Sequence, residues 1–433
     1  MPAVELKPAS SVSTPPTATA KAQWMCLIAA FLGWMFDGME MGIFPLVARP
    51  ALQEMQVHSG IVDDKFVSHW MGWITAWFLW GAACGGIVFG WLGDRIGRVR
   101  AMTWSILCYS LFTGLSYFAQ QPWHLSVFRF VAALGMGGEW SLGVALVMEC
   151  WPAKHRPLLA GAIGAAANVG FALIAVFGIV FPITKDSWRW VMLIGAAPAF
   201  LTFFIRLFVP ESERWKEAVK ETKAQPLREI FSSGLLKTTL LAIAFASISL
   251  IVTWGAVQWI GIWADQLAGK ELPKAKAYAQ LCSGLGAVIG CMAGAWVAGR
   301  FGRRPAYFML CLLSLIFGSW LFRGMSAFNA QFLALVFVVG GLTAAFYGWL
   351  PLYLPELFPT RVRATAQGLS FNFGRILAGF GALQMGALVQ KLGGKNEFGG
   401  DFAGAGATII LVYAVGLVLI WLAPETKGRP LPE

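Results

Sequence analysis

Apolar residues run through this chain in long stretches, not in the alternating pattern of strands. About twelve such stretches, each near the roughly 20 residues a helix needs to cross the hydrocarbon layer, are separated by short polar breaks. They fall at 23–48, 69–91, 101–119, 123–151, 158–181 and 188–209, then at 238–264, 277–298, 305–322, 330–354, 365–390 and 402–423. The pattern predicts an all-α membrane protein with twelve transmembrane helices. Residues 1–22 are rich in Pro, Ser, Thr and Ala without periodicity, so a disordered tail is expected there. The first apolar run is full length and lacks a small-residue cleavage site, so no cleaved signal peptide is expected. The expected organisation is a tail (1–22), a six-helix half (23–209), a polar linker (210–237), a second six-helix half (238–423) and a short tail (424–433).

Composition sharpens this picture. Of 433 residues 58% are hydrophobic and only 13% are charged, about half the charge of an average soluble chain, which excludes an ordinary water-soluble enzyme. The net charge of +11 raises the question of nucleic acid, but the Lys and Arg residues sit in short clusters between apolar runs. Topology explains them: Arg95, Arg98 and Arg100, Lys154 and Arg156, Arg300, Arg303 and Arg304, and Arg361 and Arg363 fall on the side that both ends would share. The positive-inside bias then places both termini in the cytoplasm. Seven Cys and four His show no metal-ligand spacing, and the cysteines, within or at the edge of apolar runs, are expected to be small buried hydrophobes and not disulfides. No metal, cofactor or nucleic-acid partner is expected.

An internal repeat supports two matching halves. Glu149-Cys-Trp-Pro152-Ala-Lys154-His-Arg156, followed by Gly161, matches Glu356-Leu-Phe-Pro359-Thr-Arg361-Val-Arg363, followed by Gly368. Asp94-Arg95-Ile-Gly97-Arg98 likewise matches Gly299-Arg300-Phe-Gly302-Arg303, and Pro210-Glu211 matches Pro424-Glu425. Facing six-helix halves around a midplane cavity suit alternating access.

These residues resemble the major facilitator superfamily. Gly90-Trp-Leu-Gly-Asp94-Arg95-Ile-Gly97-Arg98 is similar to its signature loop between helices 2 and 3, and Arg129 through Glu139 with Glu149, Pro152 and Arg156 resembles its fourth helix. Pro210-Glu-Ser-Glu-Arg214-Trp215 and Pro424-Glu-Thr-Lys-Gly428 are similar to motifs closing each half in sugar-porter-like members. Phe36-Asp37-Gly38-Met-Glu40 and Gly137-Gly138-Glu139-Trp140 look most like the proton-coupled organic-acid symporters, especially the sialate and monocarboxylate group and the aromatic-acid group. The resemblance covers about residues 23–428 and implies two pseudo-symmetric halves. It implies proton-coupled import of a small organic anion by a monomer in a bacterial-type inner membrane. Sugar or polyol transport is the alternative, although a single glutamine, Gln258, stands where sugar porters carry a pair. A non-transporting nutrient sensor is an alternative of another class.

Ionisable residues within the spans name the candidate site, because an ion at the bilayer centre costs roughly 2.5–3.5 kcal/mol on insertion scales. Asp37 and Glu40 share one face of helix 1. With Glu139 on helix 4 they are candidates for proton coupling, the bland reading being permanent ion pairs with midmembrane arginines. Glu139 is expected to partner Arg129 or Arg375. Arg375 on helix 11 carries a planar fork suited to a carboxylate. It leads the substrate-binding candidates, with Asn372 one turn before it, Arg129 and Gln258. Asn168 and Gln384 are further polar residues that serve equally as interhelical glue.

Asp94, Arg95, Arg98, Glu149 and Arg156, with the repeat counterparts Glu356 and Arg303, form the gating group that the resemblance assigns. Since Gly299 replaces Asp94 in the second copy, a carboxylate latch is expected mainly in the first half. Gly81 and Gly85, and Gly286, Gly290 and Gly294, have the small-xxx-small spacing of close helix contacts. The linker reads as a charged, solvated helix.

Overall fold

The computed structural model describes residues 19–59, 64–181, 183–221, 226–269, 272, 275–392 and 402–432. Residues 1–18 of the expected tail, and the side chain of Gln384, lie outside the described residues. Helix is the outcome that apolar runs dictate, since a backbone in lipid must satisfy its own hydrogen bonds. The first half holds α1 (Ala20–Ser59), α2 (Asp64–Ile96), α3 (Arg98–Leu115), α4 (Pro122–Cys150), α5 (Arg156–Val180), and a sixth crossing divided into α6 (Trp188–Ile194) and α7 (Ala199–Phe208). Short helices α8 (Glu213–Glu221) and α9 (Pro226–Ile230) lead to the second half. There α10 (Leu236–Gly255) and α11 (Ile260–Ala268) make the seventh crossing. They are followed by α12 (Ala275–Phe301), α13 (Arg303–Gly324), α14 (Ala330–Ala344) with α15 (Phe346–Leu357), α16 (Arg363–Leu392), and α17 (Phe402–Ile409) with α18 (Val412–Leu419).

Among the described residues nine helices are long and apolar enough to cross a membrane unaided. The crossings that fall short are α3 and α16, which carry polar residues against neighbouring helices, and the divided sixth crossing. Close approach follows the small residues. A side chain at Gly85 of α2 would overlap the Leu134 carbonyl of α4, and one at Gly290 of α12 would overlap the Gly341 carbonyl of α14. The halves meet where α16 packs on α2 and α4, and where α5 packs on α12 and α15.

Two expectations shift. Helix 1 does not stop at 48: Ala51, Leu52 and Met55 stay buried, and Glu54 on this extension pairs with Arg189 at 3.0 Å and accepts from the Trp188 indole. Helical periodicity therefore continues through a segment polar enough to pass for a loop. The cysteines also divide, with Cys26, Cys150, Cys291 and Cys311 buried and Cys84 exposed.

The repeat is visible in side-chain geometry. Gly97 and Gly302 precede α3 and α13 with φ of 109° and 108°, a conformation that favours glycine. The Glu211 carboxylate accepts from the amides of Arg98 (2.8 Å) and Val99 (3.1 Å). Glu425 accepts from those of Arg303 and Arg304 at 3.0 Å each. Each acidic motif that closes a half therefore caps a helix of that half. Burial pushes the Glu425 carboxyl up, but the amides of Arg303, Arg304 and Lys427 outweigh it and hold the group below the usual carboxylate range.

Candidate functional site

Halfway along α1, Asp37 is fully buried. Glu139 of α4 lies against it and fills the notch left by Gly33, where any side chain would overlap the Glu139 carboxylate. None of the four carboxyl oxygens accepts a hydrogen bond from any other group among the described residues. Arg375 reaches into electrostatic range of Asp37 from the opposite half. Its Nη1 donates to Asn372 Oδ1 at 2.6 Å while its Nε has no partner.

Asn372 is used up in holding this place. Its Nδ2 donates to the carbonyl of Gly137 on α4 (2.9 Å) and to that of Gly368 (3.0 Å). As a result, this side chain bonds the halves together and presents no free group to a cavity. Gln258 lies exposed at the turn between α10 and α11 and makes no hydrogen bond or ion pair with the cluster among the described residues.

One turn further out, Glu40 pairs with Arg129, both at most 2% exposed, and accepts from Thr113 Oγ1 at 3.3 Å. The Arg129 guanidinium also lies over the rings of Phe44 (4.9 Å) and Phe78 (4.5 Å). Arg129 therefore finds Glu40 and not Glu139, since Glu40 reaches it within the same buried pocket. Glu139 is left to Asp37.

Toward the face where both described chain ends lie, called here the terminal face, aromatic residues close the seam. Phe371 of α16 stacks on Trp140 of α4 (3.9 Å between centroids, 15° between planes). Trp34 of α1 and Tyr347 of α15 meet it edge-on at 6.2 and 6.1 Å. Trp34 precedes Asp37 by three residues and Phe371 precedes Arg375 by four, so this layer separates the ionisable cluster from the terminal face.

Beyond it lies a charged network. Asp94 at the end of α2 accepts from Arg98 (2.6 Å) and, across the seam, from the amides of Ala364 (3.2 Å) and Thr365 (2.8 Å) and the Thr365 hydroxyl (2.5 Å). A carboxylate of one half thus caps α16 of the other. Glu149 Oε1 accepts from Arg98 at 3.1 Å and from Arg363 of the opposite half at 2.9 Å, with all three side chains fully buried. Arg98 also donates to the Thr360 carbonyl at 2.7 Å. In the second half, Arg303 grips Glu356 through two bonds of 2.9 and 2.6 Å. Where the first copy has Asp94 the second has Gly299, against which Pro157 of α5 packs.

Of the expected gating group, Arg303 and Glu356 pair within the second half and do not cross the seam, and two further members stand apart. Arg95 is exposed and lies over the Trp91 ring at 4.6 Å, because it points away from the seam that Asp94 enters. Arg156 is buried at the start of α5 but forms no ion pair among the described residues.

A profile of the Major Facilitator Superfamily matches residues 24–382. The chain belongs to that superfamily. It is similar to a Haemophilus influenzae protein whose name assigns it to metabolite transport, 31% identical over 94% of this chain and 98% of the relative. It is also similar to the sialic acid transporter NanX of Escherichia coli, 28% identical over 81% of this chain and 84% of the relative. Other relatives are named for cis,cis-muconate, gentisate and niacin. Among solved structures, the proton:xylose symporter XylE superposes with a TM-score of 0.73 at 17% identity, covering 95% of this chain and 98% of that one. At that identity XylE speaks for the fold alone. The protein is an integral multi-pass transporter of the major facilitator type, not an enzyme.

Several residues of the superfamily seam escape a reading of local motifs. Arg363, which the repeat aligns with Arg156, stands outside the expected gating group although it enters the seam. Thr365, Thr360 and Pro432 carry no motif signal; the Pro432 carbonyl accepts from Arg363 (2.9 Å) and the Thr360 amide (3.2 Å). The linker is more than a solvated helix: the Trp215 indole donates to the Asp94 carbonyl (2.9 Å), and Glu229 pairs with Arg361 at 2.7 Å.

The Glu40–Arg129 pair has a testable consequence. Removing one partner of a buried pair costs about 3–5 kcal/mol because the other charge is left uncompensated. Glu40→Gln is therefore expected to lower the melting temperature in detergent clearly, and Glu40→Gln with Arg129→Met to recover most of the loss. A single variant as stable as the parent would mean that the pocket is wet.

Proposed function

We propose that this transporter imports a small organic anion, a monocarboxylate, sialate-like or aromatic acid, coupled to protons by alternating access. The observation carrying this reading is the buried midspan cluster: two touching carboxyls, Asp37 and Glu139, facing an arginine with an unpartnered edge. A planar guanidinium suits bidentate carboxylate binding. Adjacent carboxyls lacking other donors favour a shared proton. Relatives named for muconate, niacin, gentisate and sialic acid support the anion over the sugar or polyol alternative. In this reading Asp37 and Glu139 carry the proton, Arg375 takes the substrate, and Glu40 with Arg129 forms a structural pair. Asp94, Arg98, Glu149 and Arg363 latch the terminal face, which is cytoplasmic in a bacterial inner membrane. The halves span 23–209 and 238–423.

Uptake into proteoliposomes of nicotinate, gentisate, cis,cis-muconate and sialic acid, set against xylose, tests the reading. Acid accumulation is expected to collapse with a protonophore, whereas a nutrient sensor would bind without accumulating. Arg375→Lys is expected to weaken affinity for the transported acid by about tenfold to a hundredfold although the charge remains, since an ammonium cannot reproduce the fork. Unchanged affinity in well-folded Arg375→Ala protein would sink the clamp.

A further inference from the structure

Asn372 belongs both to the midspan cluster and to the seam between the halves. Both its donor hydrogens and its carbonyl oxygen are engaged: the amide nitrogen with Gly137 of α4 and Gly368 of α16, the oxygen with Arg375. The fit is tight, because a side chain at Gly86 of α2 would overlap the Asn372 amide. Gly137 also lies two residues from Glu139, so the carbonyl that fixes Asn372 belongs to the turn that carries the carboxyl. Opening the terminal face means parting α16 from α2 and α4, as rocking of one half against the other requires. The bond to Gly137 has to break in that movement, since its partners belong to different halves.

We infer that Asn372 is a positioning residue that makes the anion clamp depend on closure, its amide aiming Arg375 into the midspan site only while its nitrogen is bonded across the seam to Gly137. When the seam opens, the amide is free to turn and the Arg375 Nη1 loses its fixed acceptor. Substrate is then held firmly with the terminal face closed and released once it opens. This inference rests on the reading of Arg375 as the clamp.

The test uses full-length protein whose seven native cysteines are replaced, with Ser141→Cys as reporter. Ser141 is fully buried on α4, and a side chain at Gly368 of α16 would meet its hydroxyl at 3.2 Å. Asn372→Ala removes all three bonds. Asn372→Asp keeps the shape and the acceptor for Arg375 but removes the donors, so it separates bonding from space filling. Both are expected to speed alkylation of the Ser141→Cys thiol by N-ethylmaleimide about fivefold to tenfold, the scale of one lost buried hydrogen bond. Affinity for the acid that the wild-type protein accumulates from the panel is expected to fall by a similar factor in Asn372→Ala. In Asn372→Asp it should vanish, because the new carboxylate occupies Arg375. Wild-type alkylation in both variants would overturn the interlock. Faster alkylation with unchanged affinity in Asn372→Ala would overturn the coupling. Arg375→Ala is the separate control, expected to lose affinity with alkylation unchanged. If it keeps affinity, the clamp reading falls and the coupling with it, while the alkylation arm still registers the interlock.

Discussion

Asp37→Asn protein is expected to lose uphill accumulation entirely while still exchanging substrate across the membrane. A proton can drive uptake only if some group changes protonation between the two access states. Asp37 is fully buried on α1, touches Glu139, and lies in electrostatic range of Arg375. Substrate anion that binds Arg375 withdraws the positive charge balancing an ionised Asp37, so proton and anion favour each other's binding. A one-unit pH step supplies about 1.4 kcal/mol per proton, enough for tenfold accumulation at one proton per substrate. Asparagine mimics the protonated acid permanently, so the variant should equilibrate its substrate and stop there. Counterflow in proteoliposomes, run beside pH-driven uptake, separates the two activities. If Asp37→Asn protein still concentrates substrate tenfold after the pH step, coupling lies elsewhere, and Glu139 is the next residue to replace.

The helices were legible because lipid leaves a backbone few alternatives, and the duplicated motifs exposed the two halves through spacing alone. Arg375, Asp37 and Glu139 were legible for the same reason: a charge inside an apolar run is anomalous wherever it sits. Pairing was not. Arg129 stands on α4 ten residues from Glu139, and only the packing of α1 on α4 determines that Glu40 reaches it. Asn372 likewise looked like a cavity residue until the close approach of α16 to α4 placed the Gly137 carbonyl against its amide. Backbone acceptors such as Thr360 and Pro432 leave no trace in residue type. Arg95 shows the converse, for a signature motif preserves its charge although the helix turns it away from the seam.

The second large effect is expected at Glu149. One of its oxygens receives Arg98 from its own half and Arg363 from the other, at 3.1 and 2.9 Å, with no exposure at any of the three side chains. In Glu149→Gln protein two guanidinium groups lose their shared carboxylate while the terminal face is closed, a penalty of about 3–5 kcal/mol for an uncompensated buried charge. Once the face opens, water reaches both arginines and most of that penalty disappears. The ratio of closed to open protein should therefore fall by about a hundredfold to a thousandfold. Turnover should slow as well, because the closed state becomes the rare one. Glu356→Gln is the informative control. The Arg303–Glu356 pair joins α13 to α15 within one half, so opening does not break it, and the same loss of charge should lower thermal stability without favouring either state. Alkylation of the Ser141→Cys reporter distinguishes the two: much faster in Glu149→Gln, near the parent rate in Glu356→Gln. Equal rates in both variants would show that the Glu149 network braces the fold and does not latch the seam.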